Sequence, residues 1–364
     1  MYHHVQAISK KFNVTVLSIE KDSTLKNTIE IVKEKQGSVN VYLLYYNWDN
    51  NVSFYFRFKL IIRFFKLFIG ILKTFQLIED ENGFVDKVHL NVSHPLGIVA
   101  LYLKFIKSKT YYITEHSTLF VLNHYKSYSF FGKLIIKLTY RFTSGLSVVT
   151  NYLGQSILRL GLFKSSYHVI PNVVSTEFFN LKNLNNSKDE PVFIHVSTLR
   201  PSKGVDMLLD ACKILNNQGV KYRFVIVGGT GGYLSHVQNK INALNLNNNV
   251  YTTGELNPNE IATFLKQADF FVLNSEFETF CVVMIEAMAC GLPVIAPNNT
   301  AIPENMNSQR GLLLLERTPE VWAKALVYMI ENYKSYDKRE MYQFVENTFS
   351  YEGISRKFEL LFKG

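Results

Sequence analysis

Cysteine is scarce in this chain, and the few cysteines that occur form no recognisable pattern. Cys212, Cys281 and Cys290 are the only three in 364 residues, with no Cys-x-x-Cys pair and no neighbouring cluster of histidines. This argues against a disulfide framework and against a zinc site. A reducing compartment, the cytoplasm, is therefore expected.

Long uninterrupted hydrophobic runs are also lacking. Residues 1–20 alternate short apolar segments with His, Lys and Asn, unlike a secretory signal peptide. The most apolar stretch, residues 54–75, contains five Lys and Arg residues, and a membrane-spanning helix tolerates few such charges. The sequence predicts neither a signal peptide nor a transmembrane helix.

Acidic residues are sparse in the first half of the chain. Residues 1–172 hold 21 Lys and Arg against 10 Asp and Glu, a net charge of +11, whereas residues 173–364 hold 18 against 20, a net charge of −2. Such asymmetry is expected when one half meets an anionic surface and the other binds a small ligand. Nucleic acid and anionic lipid are both candidates for that surface.

The second half alternates predicted strands with predicted helices. Short buried apolar runs predict strands, and apolar residues at helical spacing predict the helices between them. The strands are predicted at residues 191–197, 222–228, 250–253, 270–273 and 293–296, and the helices at 205–216, 234–244, 258–267 and 280–289. This order is typical of a parallel, doubly wound α/β sheet.

The first half repeats this pattern less regularly. Strands are predicted there at residues 13–18, 39–45, 87–90, 110–114 and 146–150. Because a chain of this length exceeds one ordinary core, we predict two Rossmann-like domains that face each other across a cleft. Their bounds are residues 1–172 and 173–345, and residues 346–364 form a C-terminal helix that packs back on the first domain.

The stretch from Asn274 to Ala296 carries most of the chemistry. It places Glu278 in a polar loop after a strand and Glu286 inside the following helix. Ligands of open α/β sheets bind beyond the carboxyl ends of the strands, where a helix N-terminus offers free N–H groups to a phosphate. A well-packed helix of small residues would explain the second part of the stretch equally well.

This stretch resembles the E-x7-E signature of glycosyltransferase family 4, followed by E-A-M-A-x-G-x-P-V-I-A. The resemblance implies the GT-B fold. It also implies that Glu286 binds the ribose hydroxyls of the nucleotide, and that Glu278 and the amides of Phe280 and Cys281 contact the donor sugar. Family members commonly read E-G-F-G where this chain has Glu-Thr-Phe-Cys, and the loss of both glycines disfavours close backbone approach.

Two further segments carry the same resemblance. Residues 197–204 (STLRPSKG) resemble the family's G-R-L-x-x-x-K-G, which implies that Lys203 contacts the donor diphosphate and that Arg200 replaces an arginine usually found where Thr198 stands. Gly228 and Gly229 resemble its V-G-x-G loop, although a glycine turn needing positive φ is an alternative. A solvated surface lysine is the alternative for Lys203.

His116 follows a predicted strand in the segment Thr-Glu-His-Ser, where family members often place a histidine that faces the cleft. A neutral imidazole there could bind the donor sugar or orient the acceptor hydroxyl, although a lone histidine at a strand end is more often structural. Residues 6–16 resemble the end of a helix that, in the family, follows a first strand and a glycine-rich loop. That first strand is therefore expected to be missing, because the start is assigned late, the chain is a fragment, or part of the active site is lost.

Two helical segments combine cations with a broad apolar face. In residues 58–73 the cations fall within one narrow arc, and residues 130–142 have the same character. Such helices suit an anionic membrane interface, and core helices with a solvated basic edge are the alternative. A nucleic-acid partner is not expected, since no recognition motif accompanies the charge. The predicted membrane contacts are Lys59, Arg63, Lys66 and Lys73.

Together these features predict a retaining, metal-independent glycosyltransferase at the cytoplasmic membrane face. It would move a hexose from a UDP- or GDP-linked donor to a lipid-linked or polysaccharide acceptor, with residues 1–172 holding the acceptor and residues 173–345 the donor. His116 and Glu278 are the candidate catalytic residues, and no cofactor is expected besides the nucleotide sugar. The alternatives are another GT-B enzyme, such as a sugar-nucleotide epimerase or a phosphorylase, and a non-catalytic donor-binding protein without the N-terminal loop.

Overall fold

The computed structural model describes residues 2–25, 29–47, 56–121, 124–179 and 190–363, and the side chains of residues 56–61 and 124 lie outside this description. Internal contacts divide the chain into two compact units. Unit 1 comprises Met1–Val148, Gly154–Ile170 and Ser355–Gly364, and unit 2 comprises Val149–Leu153 and Pro171–Ile354. Within the described residues, no helix is both long and apolar enough to cross a membrane.

Unit 1 is built from short strands and mostly amphipathic helices. In chain order its elements are α1 (Tyr2–Ser9), β1 (Thr15–Lys21), β2 (Ile29–Gln36), β3 (Val39–Tyr46), α2 (Phe56–Asn82), β4 (Lys87–Asn91), α3 (Gly97–Ile106), β5 (Thr110–Glu115), α4 (His124–Ser127), α5 (Phe130–Phe142), β6 (Gly145–Val148), α6 (Asn151–Arg159, whose first turn lies in unit 2) and β7 (His168–Val169).

The strands of unit 1 form two sheets. One has the order β1-β3-β2, and the other has the order β4-β5-β6-β7 with parallel pairing throughout. The predicted parallel arrangement holds for β1 and β3 but not for β2, which pairs antiparallel to β3. Sequence analysis missed β2 because charged residues interrupt its apolar positions, as suits a largely exposed edge strand.

Unit 2 follows the predicted alternation of strands and helices closely. Its elements are β8 (Val192–Val196), α7 (Val205–Asn217), β9 (Arg223–Val227), α8 (Gly231–Ala243), β10 (Val250–Gly254), α9 (Pro258–Gln267), β11 (Phe270–Val272), α10 (Val282–Ala289), β12 (Val294–Pro297), β13 (Gly311–Leu314), α11 (Pro319–Asn332), α12 (Lys338–Phe349) and the start of α13 (Tyr351–Lys363), which ends in unit 1.

The sheet of unit 2 has the order β10-β9-β8-β11-β12-β13, with every neighbouring pair parallel. Its centre is aromatic: the ring of Phe193 stacks at 4.5 Å on Phe224 and at 5.1 Å on Phe270. Such buried rings contribute large apolar area to the core. The chain leaves β8 toward β9 on one side and later returns to place β11 on the other, so β8 and β11 form the switch point of this sheet.

Candidate functional site

The switch point brings two predicted site residues together. In a parallel doubly wound sheet, ligands bind beyond the carboxyl ends of the strands where the strand order reverses. Lys203 follows β8 and Glu278 follows β11, the two adjacent strands at that point. Lys203 Nζ lies 2.7 Å from Glu278 Oε1, with 23% and 14% of the two side chains exposed. The residues predicted to contact the donor diphosphate and the donor sugar thus form one ion pair.

A short 3-10 turn, Pro201–Lys203, presents Lys203. The amide of Lys203 donates to the carbonyl of Arg200 at 2.8 Å, and Gly204 ends the turn with φ of 66°. Arg200 precedes the turn in extended backbone and is exposed to solvent. Lys203 therefore lies in a defined turn, whereas Arg200 lies at its solvent edge.

The loop that carries Glu278 is held by the segment after β12. The amide of Glu278 donates to Thr300 Oγ1 at 3.2 Å, and Thr300 itself has φ of 51°. Asn299 Nδ2 donates to the carbonyls of Ser275 at 3.3 Å and Glu276 at 3.2 Å. Sequence analysis missed Asn299 and Thr300, because their contacts cross between strands that are distant in sequence.

Helix α10 begins two residues later than predicted because Cys281 adopts a left-handed conformation, with φ of 66° and ψ of 71°. This conformation favours glycine and is strained for other residues. The left-handed conformation thus falls at the position where family members commonly have their second glycine. Phe280 beside it is buried, with its ring 5.7 Å from that of Phe349.

Glu286 lies on α10, largely buried. Burial, with a smaller contribution from the negative charge of Glu177, raises the pKa of the Glu286 carboxyl from 4.5 to about 7. Perturbed carboxyl groups of this kind are concentrated at functional sites, although buried structural groups show them too.

Gly228 and Gly229 form the turn after β9, with φ of 109° and 80°. A Cβ added to Gly228 would lie 1.9 Å from the carbonyl oxygen of Ser197, and one added to Gly229 would lie 2.6 Å from Leu199 Cδ1. Both glycines are needed for close packing of this turn against the segment after β8. The alternative that these residues form a glycine turn needing positive φ therefore has a physical basis. A role for Gly228 and Gly229 in donor binding stays a prediction.

Gly228→Ala is expected to destabilise the protein by more than about 2 kcal/mol, because the methyl group meets a backbone carbonyl and the φ value disfavours alanine. Gly232, on α8 with nothing within 4 Å of a built Cβ, supplies the control. Gly232→Ala should be neutral or stabilising by about 0.5 kcal/mol. Urea unfolding of both variants measures the difference, and equal midpoints would contradict the steric argument.

In unit 1, His116 follows β5 and is half-buried, with its ring centroid 5.2 Å from that of His4. The preceding residue, Glu115, is fully buried and accepts hydrogen bonds from the amides of His116 (3.1 Å), Ser117 (2.9 Å) and Ser93 (3.1 Å). It also accepts from Ser93 Oγ (2.9 Å) and the Tyr140 hydroxyl (2.8 Å).

This network fixes the loop that carries His116. Burial raises the pKa of the Glu115 carboxyl, and its hydrogen bonds act in the opposite direction. Sequence analysis quoted Glu115 without assigning it a role. An acidic residue at the end of an apolar strand is the signal that could have identified it.

The predicted membrane contacts lie on α2. Lys66 and Lys73 are exposed and Arg63 is half-buried, whereas the side chain of Lys59 is outside the described residues. Large apolar side chains share this outward face, including Ile62 at 52% exposure and Phe65 at 58%. Cations and apolar groups are therefore interspersed on one solvent-facing surface.

Comparison with known proteins finds a family model that is similar to most of unit 2. Residues 177–344 match the model for glycosyl transferases group 1. This segment is similar to that family, which confirms the resemblance found in the sequence motifs at the level of group 1.

Two curated relatives are similar over part of their length. The chain is 25% identical over 211 residues to one component of the phosphatidylinositol N-acetylglucosaminyltransferase of Arabidopsis thaliana, covering 57% of this chain and 46% of that protein. It is 30% identical over 155 residues to the amylovoran biosynthesis glycosyltransferase AmsK of Erwinia amylovora, covering 41% and 38%. The chain spans less than half the length of both proteins.

Solved structures of glycosyltransferases resemble the whole chain. Sucrose-phosphate synthase of Thermosynechococcus elongatus matches with a TM-score of 0.74 at 18% identity, covering 100% of this chain and 91% of that one. HepE of Anabaena, in complex with UDP-glucose, matches with a TM-score of 0.69 at 18% identity, covering 96% and 100%. The predicted GT-B fold is thereby confirmed.

Proposed function

We propose that this protein is a retaining glycosyltransferase that takes its sugar from a nucleoside diphosphate sugar. The observation that carries this proposal is the placement of Lys203 and Glu278 at the carboxyl ends of β8 and β11, 2.7 Å apart. An ammonium group there can stabilise the charge that develops on a leaving diphosphate. A fixed cation of this kind would perform the task without a metal ion.

The remaining donor contacts are assigned around that pair. Glu286 would accept hydrogen bonds from the ribose hydroxyls, and Glu278 with the amides of Phe280 and Cys281 would contact the sugar. Arg200, Gly228 and Gly229 would complete the diphosphate side. Support comes from the crystal structure of HepE, a protein of the same fold that binds UDP-glucose. His116 would contact the donor sugar or the acceptor hydroxyl from unit 1.

A thermal-shift panel of UDP- and GDP-sugars tests the donor assignment, because a ligand that binds only the folded protein raises the unfolding temperature. Stabilisation by one nucleotide sugar would identify the donor, and its absence across the panel would contradict the proposal. Analysis of products with glycan and lipid acceptors then separates the alternatives. An epimerase needs no acceptor, and a phosphorylase consumes phosphate.

We further propose that the acceptor is lipid-linked or a growing polysaccharide and that unit 1 meets the cytoplasmic membrane face. Apart from the face of α2, α3 exposes Phe105 at 57% and α5 exposes Phe130 at 75% and Phe131 at 73%. The three helices are joined by aromatic contacts, since Phe68 of α2 packs on Tyr102 of α3 and Phe105 packs on Phe142 of α5. Apolar side chains flanked by cations suit an anionic lipid interface.

Vesicle co-sedimentation tests this surface. The double variant Lys66→Ala/Lys73→Ala should bind phosphatidylglycerol vesicles about 30-fold more weakly, since each of the two cations near an anionic surface contributes about 1 kcal/mol. The double variant Phe130→Ser/Phe131→Ser should lose binding to the same vesicles, because it removes the apolar side chains that contact the lipid. Leu315→Ser, at an 84% exposed position of unit 2, is the control. Equal binding by all variants, or no binding by the wild type, would contradict a membrane role.

A further inference from the structure

We propose that Arg317 and Asn274 form a positioning pair that fixes the direction of Lys203 for donor binding. This inference rests on the proposed function, because it assumes that Lys203 meets the donor diphosphate. Arg317 lies outside the motifs that carry the family resemblance, and Asn274 opens the stretch of residues 274–296 at a position to which that resemblance assigns no role. Their contacts join three segments of unit 2: the turn after β8, the loop after β11 and the segment between β13 and α11.

Asn274 links the loop after β11 to the turn that presents Lys203. Its side chain is fully buried, and Nδ2 donates to the carbonyl of Gly204 at 3.0 Å. The approach is tight, because a Cβ added to Gly204 would lie 2.4 Å from the carbonyl oxygen of Asn274. Gly204 thus leaves room for Asn274 to reach the end of the turn.

Arg317 fixes the orientation of Asn274. Its Nε donates to Asn274 Oδ1 at 2.9 Å, and its Nη2 donates to the carbonyl of the same residue at 2.7 Å. A planar guanidinium that donates two parallel hydrogen bonds sets both the backbone and the side chain of its partner. Because Oδ1 is taken by Arg317, Nδ2 is the atom that faces Gly204.

A second hydrogen bond ties the same two loops on the other side of Lys203. The amide of Glu276 donates to the carbonyl of Ser202 at 2.8 Å. Lys203 is therefore bracketed, with the carbonyl of Ser202 and the carbonyl of Gly204 each held by the loop after β11. Arg317 also reaches Glu276, with Nη1 3.8 Å from its carboxylate. The two residues that hold the carbonyls of Ser202 and Gly204, Glu276 and Asn274, thus both contact Arg317.

This arrangement predicts that Arg317 contributes to the affinity for the nucleotide and not to the folding of unit 2. Arg317 is half-buried at the end of the sheet, whereas the core of unit 2 is built from residues such as Phe193 and Trp322. Without Arg317 the turn that presents Lys203 still forms, but the direction of the Lys203 side chain is no longer fixed. Binding then has to order Lys203 as well as the ligand, which weakens the complex.

A double-mutant cycle tests the proposal with UDP and GDP as probes. Calorimetric titration at a temperature below unfolding should show about tenfold weaker nucleotide binding for Arg317→Met, with Arg317→Lys intermediate because it keeps the charge but not the fork. Lys203→Met should weaken binding more. The double variant should bind no more weakly than Lys203→Met alone, since Arg317 acts through Lys203. Arg339→Met, at an exposed position of α12, is the matched control.

The outcomes separate this inference from the proposed function. If Lys203→Met binds both nucleotides as the wild type does, the proposed function fails. If Lys203→Met weakens binding while Arg317→Met matches Arg339→Met, or if the two effects multiply in the double variant, the positioning role alone is refuted. Asn274→Asp serves where Arg317→Met does not fold, because it keeps Oδ1 for Arg317 and removes the donor to Gly204. It should reproduce the tenfold loss, and unchanged affinity would overturn the proposal.

Discussion

Lys203→Ala is expected to lower kcat for sugar transfer by about 100- to 1,000-fold, the range seen when one charge-stabilising donor is removed from an active site. The ammonium group would stabilise a leaving diphosphate whose negative charge grows as the glycosidic bond breaks. Because that charge is largest in the transition state, kcat should fall more than KM rises. Steady-state kinetics with the donor identified by thermal shift measure both constants.

The ion pair with Glu278 requires a matched control. Lys203→Ala leaves a largely buried carboxylate without its cation, which destabilises the protein independently of catalysis. Lys203→Arg keeps the charge and should retain part of the activity, and Lys324→Ala removes an exposed lysine of α11. If Lys203→Ala turned over donor at the rate of Lys324→Ala, the diphosphate assignment would be wrong.

Glu286→Gln is expected to lower kcat/KM for the donor by about 100-fold and to stabilise the ligand-free protein at alkaline pH. The first effect follows from weaker hydrogen bonds to the ribose hydroxyls, since bonds to a charged acceptor contribute about 1.5–3 kcal/mol each. Binding would favour the ionised carboxylate, so donor affinity of the wild type should rise as the pH increases through 7. The affinity of Glu286→Gln should be nearly independent of pH in that range.

The ionisation of Glu286 changes protein stability in the opposite direction to donor affinity: affinity rises with pH, whereas the free energy of unfolding falls. Because the pKa of Glu286 is raised from 4.5 to about 7, the folded protein keeps a proton that the unfolded chain releases between these values. Stability therefore falls as the pH rises from about 4.5 to 7, by up to about 3 kcal/mol for a difference of about 2.5 in pKa. Glu286→Gln should lack this loss and be more stable than the wild type at pH 8.

Urea unfolding across this pH range measures the slope. Glu331→Gln, an exposed position on α11, is the control and should follow the wild type. Unchanged donor kinetics in Glu286→Gln would contradict the assignment of Glu286 to the ribose hydroxyls. An unchanged pH slope would show that the carboxyl is not perturbed in the ligand-free protein.

The order of strands and helices in unit 2 was determined by the sequence itself. Buried parallel strands are continuous apolar runs, so the segment around Phe193 can be recognised from a few neighbouring residues. Glu278, Glu286 and Lys203 could be selected from the resemblance of their motifs to those of glycosyltransferase family 4, because those motifs are local in sequence. Unit 1 was less predictable, since the edge strand β2 carries charges that obscure its periodicity.

Tertiary structure alone decided how these residues meet. The ion pair of Lys203 with Glu278 spans 75 positions, and the contacts of Arg317 with Asn274 span 43. Glu115 accepts hydrogen bonds from Ser93 and Tyr140, 22 and 25 positions away. Such pairs leave no periodic signal, because they depend on which strands the sheet places side by side. The sequence determined which chemical groups stand at the strand ends, and the order of the strands determined which of those groups touch.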